Sequence, residues 1–404
     1  MRSDARQFEP GAPATDGMIP LCIPHLGGNE WQYVKECLDT NFVSSVGPFV
    51  DRFERAIAAR MGAAYAVATV NGTAALHVAL RVAGVKANDE VLVSTLTFIA
   101  PVNAIRYLGA VPVFIDAEPD HWQMDGHAVA DFLNQQCVRR NGGLFNRASG
   151  RQVRAIVPVH ILGHPVDMDA ILALARQFDL RVIEDATESL GAEYRGRRVG
   201  TLGDIGCFSF NGNKLITTGG GGMIVTDDKV LADNAKYLTT QAKDDAVEFV
   251  HGEIGYNYRL TNIQAALGVA QLERLDDHIA AKRAITRRYD AELGGLSGVG
   301  IPMVASWASS VHWLYTVRID PHAFGQTSRQ LMQTLQDAGV QSRPLWQPAH
   351  RSPSQADVPS CDCPVADRLN GEALSLPSSV GLTNAEQDRV IVAVCRAVVA
   401  PSRP

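Results

Sequence analysis

Long apolar runs are missing from this chain. Nothing approaches the roughly 18 consecutive apolar residues of a membrane-spanning helix, so no helical span and no membrane partner are expected. Cysteine is sparse: seven residues, an odd number scattered along the chain, do not read as a disulfide framework and point to the cytoplasm. Net positive charge is also lacking, because 37 Lys and Arg face 43 Asp and Glu for a formal charge of −6, which argues against a nucleic-acid binder. Internal repeats and low-complexity tracts are absent. Residues 1–17 are polar, include Pro10 and Pro13 and have no apolar signal core, so they read as a loose leader.

What remains is an ordinary globular composition, 46% hydrophobic and 20% charged, spread over 404 residues. That length exceeds the roughly 250 to 300 residues one core usually supports, so two domains are expected, 18–294 and a smaller one over 295–404. Short apolar runs at 91–94, 111–116, 155–159 and 182–185 alternate with helical stretches, the pattern of a mostly parallel sheet covered on both faces. Residues 223–226 read as a further strand, and the polar, glycine-bearing stretch 136–152 reads as a surface insertion. Apolar spacing from Asn262 to about Leu293 predicts one long amphipathic helical region leading into the small domain. There, a strand over 313–319 and a helix over 331–338 are expected.

Lys214 is the most informative residue. It follows Cys207-Phe208-Ser209-Phe210-Asn211-Gly212-Asn213, an apolar strand that ends in a hydroxyl and turns at a glycine, and it precedes Thr217-Thr218 and four glycines. An amine on a rigid scaffold beside phosphate-binding donors is what covalent capture of an aldehyde requires, and it points to pyridoxal phosphate. Taken alone, such a lysine is more simply read as a loop cation. Asp185 ends the buried run 181–185, where open α/β sheets place their ligands. A carboxylate there either pairs with a pyridine nitrogen or caps the next helix. Asn71-Gly72-Thr73-Ala74 opens an apolar helix whose free amides favour an anion such as phosphate, and an ordinary helix cap has the same composition. Phe98 suits stacking on a planar cofactor or packing in the core.

In this order, these elements resemble the sugar aminotransferases of the DegT/DnrJ/EryC1/StrS family, pyridoxal phosphate enzymes of fold type I. The resemblance runs from Ile19 to Val390. It includes Gly47-Pro48 with the acidic helix after it, Asn71-Gly72-Thr73-Ala74-Ala75-Leu76, Glu184-Asp185-Ala186-Thr187, Phe208-Ser209-Phe210 ahead of Lys214, and Gly255-Tyr256-Asn257-Tyr258-Arg259. The openings Gly27-Gly28-Asn29-Glu30-Trp31 and Asn41 to Gly47 look most like the legionaminic acid and bacillosamine enzymes.

The resemblance implies an α/β fold with a smaller C-terminal α+β domain, and a homodimer with shared sites. Lys214 would be the covalent attachment point and proton carrier, and Asp185 the partner of the ring nitrogen. Phe98 would stack on the ring, and Gly72, Thr73, Ala74 and Ser209 would meet the phosphate. Asn257 would reach across from a second subunit. Glu188 stands where many relatives carry Gln or His against the ring hydroxyl, and Gly220 where many carry Glu. Because the lysine is not replaced by the histidine of the deoxygenating relatives, amino transfer is expected, from L-glutamate to C4 of a nucleotide-linked 4-keto-6-deoxy sugar, the uridine diphosphate acetamido form first. A 3-keto sugar nucleotide, a keto-inositol and a non-catalytic regulatory protein remain open.

A diphosphate needs local positive charge in so acidic a chain. Arg259 and Arg343 are the candidates, with Lys243 behind them; each can also be a solvated or surface-paired cation, the reading that Lys243 favours. Trp346, between two prolines, suits a sugar or base, or simple loop packing. No metal is expected. Cys361-Asp362-Cys363 has the wrong spacing for a zinc knuckle, and Gly163 and Pro165 oppose a helix presenting His160 and His164 together.

Overall fold

The computed structural model describes residues 17–245, 247–359 and 361–398, so the expected leader lies, but for Gly17, outside the described residues. The centre is a mixed sheet in the order Tyr65–Thr69, Gly222–Thr226, Ile205–Ser209, Arg181–Asp185, Gln152–Val157, Glu90–Ser94 and Val111–Ile115. Joins from Ile205–Ser209 onward are parallel, while Gly222–Thr226 runs antiparallel to both its neighbours. Glu90–Ser94 and Gly222–Thr226 are buried along their whole length. This is why they read as continuous apolar runs without alternation.

Neighbouring residues of one strand feed two cores, as the two-residue side-chain period requires. Val182 and Phe208 join Phe53, Phe210 and Met223 on one face. Ile183 and Cys207 join Leu76, Leu80 and Val93 on the other. In the parallel pair, Cys207 lies opposite Asp185, so Asp185 and Ser209 reach the same edge of the sheet. That edge, at the carboxyl ends of the strands, is where α/β sheets bind ligands.

Two elements differ from expectation. The stretch 136–152 is not a structureless insertion: Cys137–Arg140 and Gly143–Asn146 form a hairpin joined to Gln152–Val157. It buries Cys137 and Leu144 but leaves Arg139 and Arg140 exposed, so its apolar signal is too thin to read as strand. The long helix expected after Asn262 is two helices, Asn262–Leu272 and Leu275–Leu293, separated at Glu273 and Arg274. Asp276 and Asp277 sit in the first turn of the second, where a new helix start favours acidic residues.

Beyond the second helix, Val299–Gly300, Tyr315–Ile319, Ala373–Leu376 and Arg343–Pro344 form an antiparallel sheet. Its core holds Tyr289, Tyr315, Phe324, Leu331 and Val390, and takes in Ile19 from the start of the described chain. The expected strand over 313–319 starts at Tyr315, and the helix expected over 331–338 spans Ser328–Asp337. Trp313 stands before the strand and faces the Lys214 loop instead. Lys282 anchors this junction. It is fully buried, and its ammonium donates to the carbonyls of Trp313, at 2.8 Å, and Ser378, which satisfies a charge that would otherwise be costly to desolvate.

Candidate active site

The Ile205–Ser209 strand delivers Lys214 through a closed turn. Phe210 N–H donates to Gly221 O at 2.8 Å, Thr218 N–H to Phe210 O at 2.9 Å, and Lys214 N–H to Asn211 O at 3.0 Å. The glycine run serves close backbone approach: a Cβ on Gly222 would lie 2.5 Å from Asn71 O. Gly220 has no such restriction, since an added Cβ there meets nothing nearer than Gln264 Nε2 at 3.5 Å.

Asp185 is placed by backbone bonds on both sides, donating to Pro158 O at 2.9 Å and accepting from His160 N–H at 3.0 Å. Its neighbour Glu184 points to the opposite face. There it accepts from the amides of Gly200, Leu202 and Gly203 and lies 3.0 Å from His160 Nε2. Since His160 Nδ1 accepts from Val166 N–H, Nε2 carries the proton and donates to Glu184. Both histidines flagged by the sequence are therefore engaged by the fold, His164 through Pro165 O and the Ala305 amide.

The helix Gly72–Val82 brings a third component. Asn71 caps it, its side chain accepting from Ala74 N–H at 2.8 Å while its carbonyl accepts from Ala75 N–H. The amides of Gly72 and Thr73 remain with no partner inside the helix, at its positive end. Ala74, expected beside them, has its amide committed to the cap. A Cβ on Gly72 would come within 2.8 Å of Ser209 Cβ and 3.3 Å of Thr187 Cγ2, so only glycine lets this turn close on the strand end.

These parts meet around a cavity of about 310 Å³. Its lining includes Gly72, Thr73, Phe98, Asp185, Glu188, Ser209, Lys214 and Trp346. Ala74, Asn257, Arg259 and Arg343 are not among the lining residues. Asn257 is exposed and bridged to Thr240. Arg343 is exposed on its short strand, with Nη1 donating to Ser342 O. Lys243 packs its ammonium 4.7 Å from the Phe249 ring centre. A larger cavity, about 660 Å³, contains Arg154, Arg176, Arg181 and Asp204 but no nucleophile. Two of its arginines are already paired, Arg181 with Asp204 and Arg154 with Asp89, so the chemistry belongs to the smaller one.

Sequence reasoning missed Trp313. Its ring centre lies 4.0 Å from Lys214 Nζ, its Nε1 donates to Asn213 O at 2.7 Å, and it stands nearly parallel to Trp346. A cation over an indole face gains roughly 0.5 to 2 kcal/mol, which helps hold the amine in the cavity. No local signal marks Trp313, because it arrives from a distant segment between the two cores.

The carboxylates are electrically distinct from surface acids. Burial raises the Asp185 carboxyl above its ordinary range, with Thr187 and Lys214 pulling the other way. A cationic ring nitrogen beside it would offset that burial cost. Glu188, only 5% exposed, is pushed up to about 7, chiefly by burial. Against this act the Lys214 ammonium, 3.5 Å from Oε1, and the Leu162 amide, which donates to Oε2 at 2.8 Å. Near neutrality Glu188 is thus part neutral and able to donate a hydrogen bond.

This gives a signed pH effect. The favourable contribution of neutral Glu188 is complete below its ordinary 4.5 and is lost as pH rises through about 7, up to roughly 3 kcal/mol. In cofactor-free protein, Tm of the wild type should fall by a few degrees relative to Glu188→Gln between pH 5 and pH 8. A difference that stays flat across that range would refute the assignment.

The donor set fits pyridoxal phosphate: one amine, two buried carboxylates, one helix start that a glycine allows to close on a hydroxyl, and an aromatic at the mouth. Comparison with known proteins agrees. The profile described as the DegT/DnrJ/EryC1/StrS aminotransferase family matches residues 24–395. GDP-perosamine synthase of Caulobacter vibrioides is 42% identical over 382 residues, covering 94% of this chain and 98% of that protein. The putative pyridoxal phosphate-dependent aminotransferase EpsN of Bacillus subtilis is 41% identical, covering 92% and 94%. The crystal structure of the aminotransferase TlmJ from Streptoalloteichus hindustanus superposes with a TM-score of 0.85 at 29% identity, covering 94% and 98%. The chain belongs to the DegT/DnrJ/EryC1/StrS family and is a pyridoxal phosphate-dependent sugar aminotransferase of fold type I.

Proposed function

We propose that this enzyme moves an amino group from L-glutamate to C4 of a nucleoside-diphosphate-linked 4-keto-6-deoxy sugar. The observation that carries the reading is the convergence of Lys214, Asp185 and the Gly72–Thr73 helix start on one cavity. When bound, pyridoxal phosphate supplies the electron sink that lets a C–H bond beside nitrogen ionise. Lys214 Nζ takes the proton from the amino acid carbon and later returns a proton to the sugar carbon, acting as base and then acid. Asp185 would keep a proton on the ring nitrogen. The Gly72 and Thr73 amides, with Ser209, would hold the phosphate, and Phe98 would stack on the ring. Glu188 meets the ring hydroxyl, and Trp346 walls the entrance used by the sugar.

We further infer that the working form is a cytoplasmic homodimer, with a large domain over 18–294 and a small one over 295–404. Phe98 lines the cavity yet is 56% exposed, Phe42, Val43 and Val46 add exposed apolar side chains elsewhere on the surface, and Asn257 does not line the cavity of its own chain. In the dimer Asn257 and Arg259 would come from the second copy, Arg259 and Arg343 serving the diphosphate. All seven cysteines are free, which suits the cytoplasm. Light scattering should return twice the 43.6 kDa of one chain, and a monomer that is fully active would refute shared sites.

The sugar carries two readings. Resemblance of the amino-terminal motifs favours the uridine diphosphate acetamido sugar of the legionaminic acid and bacillosamine type, whereas the name of the Caulobacter relative favours a guanosine diphosphate sugar. A panel decides: with glutamate as donor, one of these 4-keto-6-deoxy nucleotides should exceed a 3-keto sugar nucleotide and a keto-inositol by roughly 10²-fold in kcat/KM. Preference for either of the latter would overturn the C4 assignment. If glutamate never converts the bound cofactor to its amine form, the regulatory reading wins.

A further inference from the structure

We propose that His350, Cys361 and Cys363 form a binding site for a zinc-class divalent ion beside the active-site loop. One ligand atom from each lies within 4.8 Å of the others, and Cys363 is buried. The cysteines alone have the wrong spacing for a zinc knuckle, and the third donor comes from the short turn Ala349–Arg351, so sequence pattern does not reveal the set. The two sulfurs face each other at 2.6 Å, inside ordinary thiol contact, so both point into one small space with the imidazole. Tetrahedral zinc at its usual bond length would hold them about 3.8 Å apart.

His350 is oriented as a ligand. Its Nδ1 lies 2.7 Å from Thr95 Oγ1, and that hydroxyl also accepts from the His350 amide at 3.3 Å. A metal-bound histidine is ordinarily fixed in this way, by a hydrogen bond at its other nitrogen. Nε2 remains as the donor atom, with Asp367 Oδ1 3.4 Å from it at the edge of the site. Two thiolates and an imidazole form a soft and borderline set that suits zinc rather than magnesium or calcium. A disulfide between the cysteines would use neither the imidazole nor its orientation by Thr95.

The position suggests what such an ion does. Ala349 N–H donates to Thr95 O at 2.8 Å, at the end of the strand that leads to Phe98. Cys363 precedes the helix Pro364–Glu372, whose Val365 and Ala366 amides donate to the Asp116 carboxylate and whose Asn370 donates to the carbonyls of Leu345 and Trp346. An ion here ties the loop carrying Trp346 to the large sheet.

Holoenzyme stripped with chelator under reducing conditions, given equimolar zinc chloride and then dialysed, should retain about one zinc per chain by plasma mass spectrometry. The double variant Cys361→Ser/Cys363→Ser should retain roughly a tenth of that or less, while still binding cofactor and accepting glutamate. Should that variant fail to fold, His350→Gln supplies the same readout. Cobalt in place of zinc should give the visible bands of a tetrahedral thiolate site in the wild type alone. Wild type that retains no zinc after reduction, a variant that retains as much, or a Cys361–Cys363 disulfide as the only modification found would each overturn the proposal.

Discussion

Replacing Lys214 with alanine is expected to abolish amino transfer while leaving a folded protein that still takes up pyridoxal phosphate. Lys214 is the one amine among the cavity's lining residues, and no neighbouring side chain can take over both covalent capture and proton transfer. Loss of a positioned acid–base group alone costs about 10² to 10⁴ in rate, and loss of the nucleophile adds to it, so a fall of roughly 10³-fold or more in kcat is expected. Cofactor retention should change much less, because the Gly72 and Thr73 amides, Ser209 and Asp185 are untouched. Borohydride reduction followed by peptide mapping should fix label at residue 214 in the wild type and nowhere in the variant. Turnover within tenfold of wild type, or label on another lysine, would remove Lys214 from the chemistry. The fold should survive although the substitution removes a largely buried ion pair and the contact with Trp313, since burial already pushes the Glu188 carboxyl toward its neutral form, which needs no cation beside it.

The reach of sequence reasoning differed between parts of the molecule for physical reasons. Strands covered on both faces, such as Glu90–Ser94, announce themselves as apolar runs, and the residue at the end of such a run, Asp185, is placed by chain geometry at the binding edge. Helix starts are similarly local, which is why Asn71, Gly72 and Thr73 were identifiable. Trp313 was not, since what puts its ring over Lys214 is the docking of two cores through Lys282, a contact between segments far apart in the chain. The break at Glu273 and Arg274 is a local event masked by apolar spacing that continues across it. Its only signal was the Asp276–Asp277 pair. The hairpin over 137–146 escaped because a strand half open to solvent and rich in arginine has little apolar periodicity to detect. Arg259 and Arg343 answer the need for positive charge near a diphosphate, yet neither lines the cavity of its own chain, because charge and local sequence carry no information on where a side chain packs.

The two buried carboxylates of the site should answer substitution in opposite ways, and Asp185→Asn is the more severe change. Asparagine keeps the shape and can still accept from the Thr187 amide, now 3.1 Å from Oδ1, so neither folding nor cavity volume should be disturbed. What it removes is the charge that, in the proposed arrangement, would hold a proton on the ring nitrogen. A charge-assisted hydrogen bond is worth about 1.5 to 3 kcal/mol, which predicts a loss of roughly 10- to 10²-fold in each half-reaction, and more where the ring must accommodate the full carbanion charge. Glu188→Gln, by contrast, keeps an acceptor for the Leu162 amide and supplies the donor that neutral Glu188 would provide, so its activity should remain within about tenfold of wild type. A cofactor analogue methylated at the ring nitrogen carries its positive charge permanently, and it should restore part of the rate to Asp185→Asn without improving Glu188→Gln. The separation is informative because burial, the first cause of the raised pKa in both groups, cannot tell them apart. Their distinction lies in what each faces: Asp185 at the strand end, and Glu188 against the Lys214 amine. If Asp185→Asn retained full kcat, or if the methylated analogue rescued Glu188→Gln instead, the two assignments would have to be exchanged.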